Sequence, residues 1–123
     1  MEATPSYVKP EDVDGSNRRI RGKRVIIDGG PQEGSFSMFF YHDSDNLWRP
    51  KIGYRLNGGG GWGGIPSRFG NQYWIVMSPK ELYAGLVGTF ATYKDCRIDP
   101  RSILTFLSGP AMTTEELNKK MVA

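Results

Sequence analysis

Cysteine is almost missing from this chain: Cys96 is the only one. No intrachain disulfide can form, a structural zinc site is not credible, and a reducing cytoplasm, of a cell or of a host cell, is the expected compartment. Histidine is equally scarce, with His42 alone. No apolar run approaches the roughly 20 residues that a bilayer-spanning helix requires, so no membrane partner is expected. The opening MEATPSYVKPEDVDG has neither the basic nor the apolar region of a secretory signal. Catalytic signatures are lacking too. There is no G-x-x-x-x-G-K-[ST], G-x-S-x-G, H-E-x-x-H or paired catalytic carboxylate motif, so neither enzyme activity nor a cofactor is expected.

Net charge is also small, +3 over 123 residues, but it is unevenly placed. Residues 1–17 carry Glu2, Glu11, Asp12 and Asp14 against Lys9 alone, with Pro5, Pro10 and Gly15, and read as an extended acidic arm. RRIRGKR then gathers Arg18, Arg19, Arg21, Lys23 and Arg24 within residues 18–24. Such an arm either folds over its own protein or competes with an anionic partner for the basic stretch.

Residues 18–123 read as a single α+β domain. Strands are expected over about 23–28, 35–42, 51–56 and 72–77. The clearest alternation sets Ile52, Tyr54 and Leu56 against Lys51, Gly53 and Arg55. Turns GGPQEG and DSDN separate the first three strands. Residues 89–95 suit either a connecting loop or a fifth strand, and the strand formers Phe90, Thr92 and Tyr93 favour the strand. Helices are expected over 79–87, 100–108 and 114–121. The first has Ser78-Pro79-Lys80-Glu81 as a capping box, Leu82 and Leu86 in its buried stripe with Tyr83 and Val87 beside them, and Gly88 as its stop. Asp99-Pro100 and Thr113-Thr114-Glu115-Glu116 open the other two. The result is an antiparallel meander of four to five strands backed by C-terminal helices, with its second face, bearing Lys51 and Arg55, left open.

LNGGGGWGGIPSRFG, residues 56–70, is the one low-complexity stretch. It contains G-x-G-x-x-G, but Ile65-Pro66 follows where a dinucleotide loop needs a helix, which rules out a Rossmann reading. Two readings stay open. Either the glycine amides form an anion-binding nest with Trp62 and Arg68 as contact residues, or the segment is a long hairpin loop whose tryptophan tucks onto the sheet.

His42-Asp43-Ser44-Asp45 lacks a second ligand group for a metal and fails the calcium-loop pattern at Leu47, so it reads as a polar turn and no metal is expected. Cys96 reads as a structural, semi-buried thiol.

What remains is basic residues interleaved with aromatics. Single-strand binders combine a positive groove with stacking platforms, each stack contributing about 1–3 kcal/mol. The expected function is therefore non-catalytic binding of an anionic, aromatic ligand, single-stranded nucleic acid first and a nucleotide second. Arg18, Arg19, Arg21, Lys23 and Arg24 would meet phosphates, Trp48 and Trp62 would stack, and Lys51, Arg55 and Arg68 would line the open face. The alternative is a protein-interaction or assembly subunit, a homo-oligomer or a virus-encoded host modulator, that docks through its arm and sheet edges.

Overall fold

The computed structural model describes residues 7–14, 18–78 and 82–122. The remainder of the arm, the 79–81 part of the first expected capping box, and Ala123 lie outside the described residues. Three long strands, β1 (Ile20–Asp28), β2 (Gly34–His42) and β3 (Trp48–Leu56), form an antiparallel meander. Two short strands, β4 (Ser67–Arg68) and β5 (Asn71–Gln72), pair as a separate hairpin, and β6 (Ile75–Val76) adds to β3. Helices α1 (Leu82–Phe90), α2 (Pro100–Leu107) and α3 (Thr114–Val122) complete an α+β fold with the sheet order β1-β2-β3-β6.

Alternation decides which face each strand buries. In register, Phe36 opposes Tyr54, Met38 opposes Ile52, and Phe40 opposes Pro50. This face meets Tyr83, Val87, Phe90, Ile103 and Leu107 from α1 and α2, and Leu117 from α3. A fully buried side chain of this kind stabilises by about 1.5–3 kcal/mol. The Phe36 and Phe90 rings meet edge to face at 5.0 Å.

Several elements differ from the sequence expectation, each for a physical reason. The proposed 89–95 strand does not form. Thr89 and Phe90 end α1 instead, and the chain turns as the backbone N–H groups of Thr92 and Tyr93 donate to the Thr89 and Phe90 carbonyls. Burial of Phe90 against the sheet overrides its strand propensity. The helix therefore runs past Gly88; Tyr83 and Val87 of the expected stripe are buried and Phe90 joins them, while Leu82 is half exposed. β3 begins at Trp48, not 51, because Pro50 can sit within it. Trp48 bonds outward to Met112, so Pro50, two positions on, also faces the outer edge, where a missing N–H costs no ladder bond to β2. Within the expected 72–77 strand only Ile75–Val76 joins the sheet, and Asn71–Gln72 pairs with Ser67–Arg68 instead.

α2 and α3 start with formed caps. Asp99 accepts from Arg101 N at 2.8 Å. Thr113 and Glu116 exchange backbone and side-chain bonds at 3.0 and 3.1 Å, over a buried Met112–Leu117 pair.

The second sheet face is not open, which corrects the expectation. The arm's Val13 packs on it with Ile20, Phe39 and Trp74, and a short 3-10 turn at Pro10–Asp12 shapes the arm. Phe39 and Arg55 beneath are fully buried.

Candidate functional site

Arg55 does not line a ligand surface. It is 0 % exposed, and its guanidinium donates to the carbonyls of Tyr73 and Gly63, both at 2.8 Å, and to Gln72 Oε1 at 2.9 Å. Burial pushes its pKa down from the ordinary value. Arg55 is thus a strut joining β3, the glycine segment and β5.

The glycine segment is built as a hairpin extending from β3. Leu56 and Ile65 exchange backbone bonds at 2.9 and 3.2 Å, and Gly59 and Trp62 do so at 2.7 and 3.2 Å. Gly60 and Gly61, at φ +62° and +93°, make the two-residue turn, which only glycine takes easily at both positions. The hairpin is moored to the β1–β2 turn. Gln32 N donates to the Gly58 carbonyl at 2.7 Å, and Asn57 Nδ2 donates to the Gly30 carbonyl at 2.8 Å. Trp62 projects from the tip, 46 % exposed, beside Tyr7 and Val8 of the arm. Arg68 lies at the next hairpin with its guanidinium 5.3 Å from the Phe69 ring. Phe69 is 91 % exposed and holds φ +51°, an unusual conformation for a bulky residue.

Trp48 is likewise no open platform. It is 4 % exposed, its indole donates to Thr114 Oγ1 at 2.9 Å, and His42 stacks on it at 4.5 Å. Lys51 reaches Asp43 at 3.1 Å and lies 5.3 Å from the Tyr41 ring. Arg49 pairs with Asp45 and Asp43, both at 2.7 Å, and those bonds, Asp45 foremost, push its pKa up. The two carboxylates of the DSDN turn thus offset Arg49 and Lys51. Cys96 donates to the Ile98 carbonyl at 3.1 Å.

The basic stretch divides by face. Lys23 turns to the arm, bonding Asp14 and the carbonyls of Glu11 and Val13. Arg21 and Arg24 turn to the helix side. Arg21 bonds Asn118 and lies 5.7 Å from the Trp48 ring, and Arg24 lies 5.7 Å from the Phe106 ring. Opposite them, Lys120 of α3 sits 6.0 Å from the Phe40 ring. Arg24 and Lys120 line a cleft of about 350 Å³ together with Lys23, Gly22, Met121, Phe106 and the buried Phe40, and Arg21 lies outside its lining. Gly22, at φ +68° in an irregular stretch of β1, lets Met121 come within 3.3 Å of where a Cβ would stand. Arg18 and Arg19 are exposed at the start of this edge, and Arg19 donates to the Tyr41 hydroxyl at 3.4 Å. Among the described residues, Arg18, Arg19, Arg21, Arg24 and Lys120 form no ion pair.

Sequence reasoning named the arginines of this edge but missed Lys120, Phe40 and Phe106, which only the α3–sheet contact brings to them. Lys119 and Lys120 in the last turn of α3 were the available signal. Among the described residues, no helix is long and apolar enough to cross a membrane, and no three His, Cys, Asp or Glu side chains gather as a metal site. No family model matches this sequence, and comparison with curated proteins and solved structures finds no match either.

Proposed function

We propose that this chain is a small binding protein for an anionic, aromatic ligand, with single-stranded nucleic acid ahead of a free nucleotide, and that the ligand lies along the β1 edge. The observation that carries this reading is the set of cations without carboxylate partners among the described residues, Arg18, Arg19, Arg21, Arg24 and Lys120, of which Arg24 and Lys120 line a cleft with Phe40 and Phe106. Phosphate binding draws on cations of this kind, and aromatic walls suit bases. The glycine hairpin is moored beyond the far end of β1. A strand of nine residues rises on the order of 25 Å, so a ligand reaching both Arg21 and Trp62 is an oligonucleotide, whereas a mononucleotide fills the cleft alone.

Basic side chains and irregular register also keep an edge strand from pairing with other chains, and that role by itself gives no ligand binding. The test is a fluorescence-anisotropy panel of single-stranded DNA, single-stranded RNA, duplex DNA and a nucleotide, run on the wild type and an Arg21→Glu/Arg24→Glu variant. The proposal expects a single strand to bind best and the variant to lose at least tenfold. Equal binding by both proteins would refute it. A second reading, protein interaction or assembly, is favoured by Phe69, an exposed aromatic held in a strained turn where no burial rewards it.

A further inference from the structure

The sheet face turned away from the helices holds the chain's own residues 8–14 as it would hold a bound peptide. Pro10 and Val13 are the apolar anchors, both buried, and Val13 lies against Ile20, Phe39 and Trp74. The polar contacts fall mainly on main-chain oxygens. Lys23 Nζ donates to the carbonyls of Glu11 at 3.0 Å and Val13 at 2.7 Å, and Trp74 Nε1 donates to the Val13 carbonyl at 3.0 Å. Any segment of the same shape offers those acceptors. Side-chain selectivity comes from two cations, Lys23 to Asp14 at 3.0 Å and Arg97 to Glu11 at 2.8 Å. Within the arm, Asp12 N and Val13 N bond back to Lys9 and Pro10, so these amides form no ladder with the sheet. Two buried apolar anchors, three hydrogen bonds to carbonyls from Lys23 and Trp74, and the two cations Lys23 and Arg97 make a peptide-recognition surface.

We infer that this face is a docking groove for an acidic segment of a partner protein, with proline, valine three positions on, and a carboxylate directly after each. The chain's own Pro10-Glu11-Asp12-Val13-Asp14 occupies it in cis. Charge complementarity sets this class of partner, because Lys23 and Arg97 meet carboxylates, and a basic or neutral segment would leave Lys23 unanswered and Arg97 with Asp28 alone, at 3.6 Å. Lys23 borders both this groove and the β1 cleft, but Trp74 and Arg97 take no part in that cleft, so substitutions at those two residues separate the groove from the nucleic-acid proposal.

The test uses the full chain with a protease site inserted between Asp14 and Arg18, folded intact and then cut. A fluorescent peptide spanning residues 8–14 is added, and its anisotropy is read on cut and uncut protein. A tethered arm competes at millimolar effective concentration. The cut protein is therefore expected to bind the peptide at least tenfold more tightly than the uncut one, and a Val13→Asp peptide is expected to bind at least tenfold more weakly. Trp74→Phe in the cut protein is expected to weaken the native peptide severalfold. Three results would overturn the inference. The cut protein keeps its melting transition but ignores the peptide, or binds the Val13→Asp peptide equally. Cutting abolishes the melting transition, which makes the arm part of the core. Light scattering finds the uncut protein to be a dimer that exchanges arms, which gives the groove to a second copy.

Discussion

Replacing Arg55 with methionine separates its structural role from a ligand-binding one. The side chain is fully buried and serves three acceptors, two of them the backbone carbonyls of Gly63 and Tyr73. Leaving a buried acceptor without a partner costs about 1–3 kcal/mol. Taking about 1–1.5 kcal/mol for each of the carbonyls of Gly63 and Tyr73 and for Gln72, whose side chain can rehydrate, gives a gross loss of about 3–5 kcal/mol. Removing a buried cation that no carboxylate neutralises returns part of this, so the net loss is about 2–3 kcal/mol. For a domain of this size that lowers Tm by about 10 °C. Thermal unfolding followed by circular dichroism reads the shift. Arg55→Lys serves as the control, since a single ammonium cannot span the three acceptors that the planar guanidinium joins. An Arg55→Met protein that melts within about 2 °C of wild type would refute the strut and return Arg55 to the candidate ligand residues.

Two further outcomes check the placement of the aromatics and the α3 cap. Trp48→Ala is expected to cost about 3–5 kcal/mol by chemical denaturation because it empties a core site, whereas Trp62→Ala, at an exposed hairpin tip, changes stability by less than about 1 kcal/mol. Equal losses would contradict the assignment of Trp48 to the core. The Thr113 backbone and then its side chain hold the Glu116 carboxyl below its ordinary pKa of 4.5. A lowered carboxyl stabilises the fold above that pH and loses its contribution as pH falls through the folded value. The stability gap between wild type and Glu116→Gln should therefore be present at neutral pH and close below pH 4.5. A gap that stays constant across the acid range would count against the cap.

The meander, the caps of α2 and α3 and the two faces of β3 could be read directly from residues. Ile52 and Tyr54 do lie opposite Gly53 and Arg55, as strict alternation requires. What alternation cannot reveal is which face stays covered. The second face is closed by Val13 from the arm and by Trp74, residues far from β3 in sequence that contribute no periodic signal of their own. Arg55 was therefore assigned to the correct face but wrongly taken to be exposed. Trp48 lies ahead of the 51–56 alternation, and only the outward position of Pro50, where the missing N–H does no harm, lets β3 start that early. The glycine stretch was ambiguous for a similar reason. Glycines that read as slack chain in isolation become a tight turn once Asn57 and Gln32 tie the base of the hairpin to the β1–β2 turn. At the candidate site the arginines were evident from their clustering, while Phe40, Phe106 and Lys120 meet only through tertiary packing.

The measurement that bears most directly on the binding edge is the salt dependence of affinity for a single-stranded oligonucleotide. If Arg18, Arg19, Arg21, Arg24 and Lys120 each neutralise one phosphate, log K falls against log salt with a slope of about −3.5. Arg21→Glu/Arg24→Glu should flatten that slope by at least about 1.4 and weaken binding across all sequences. A wild-type slope near zero, or a variant slope equal to the wild type, would contradict the account.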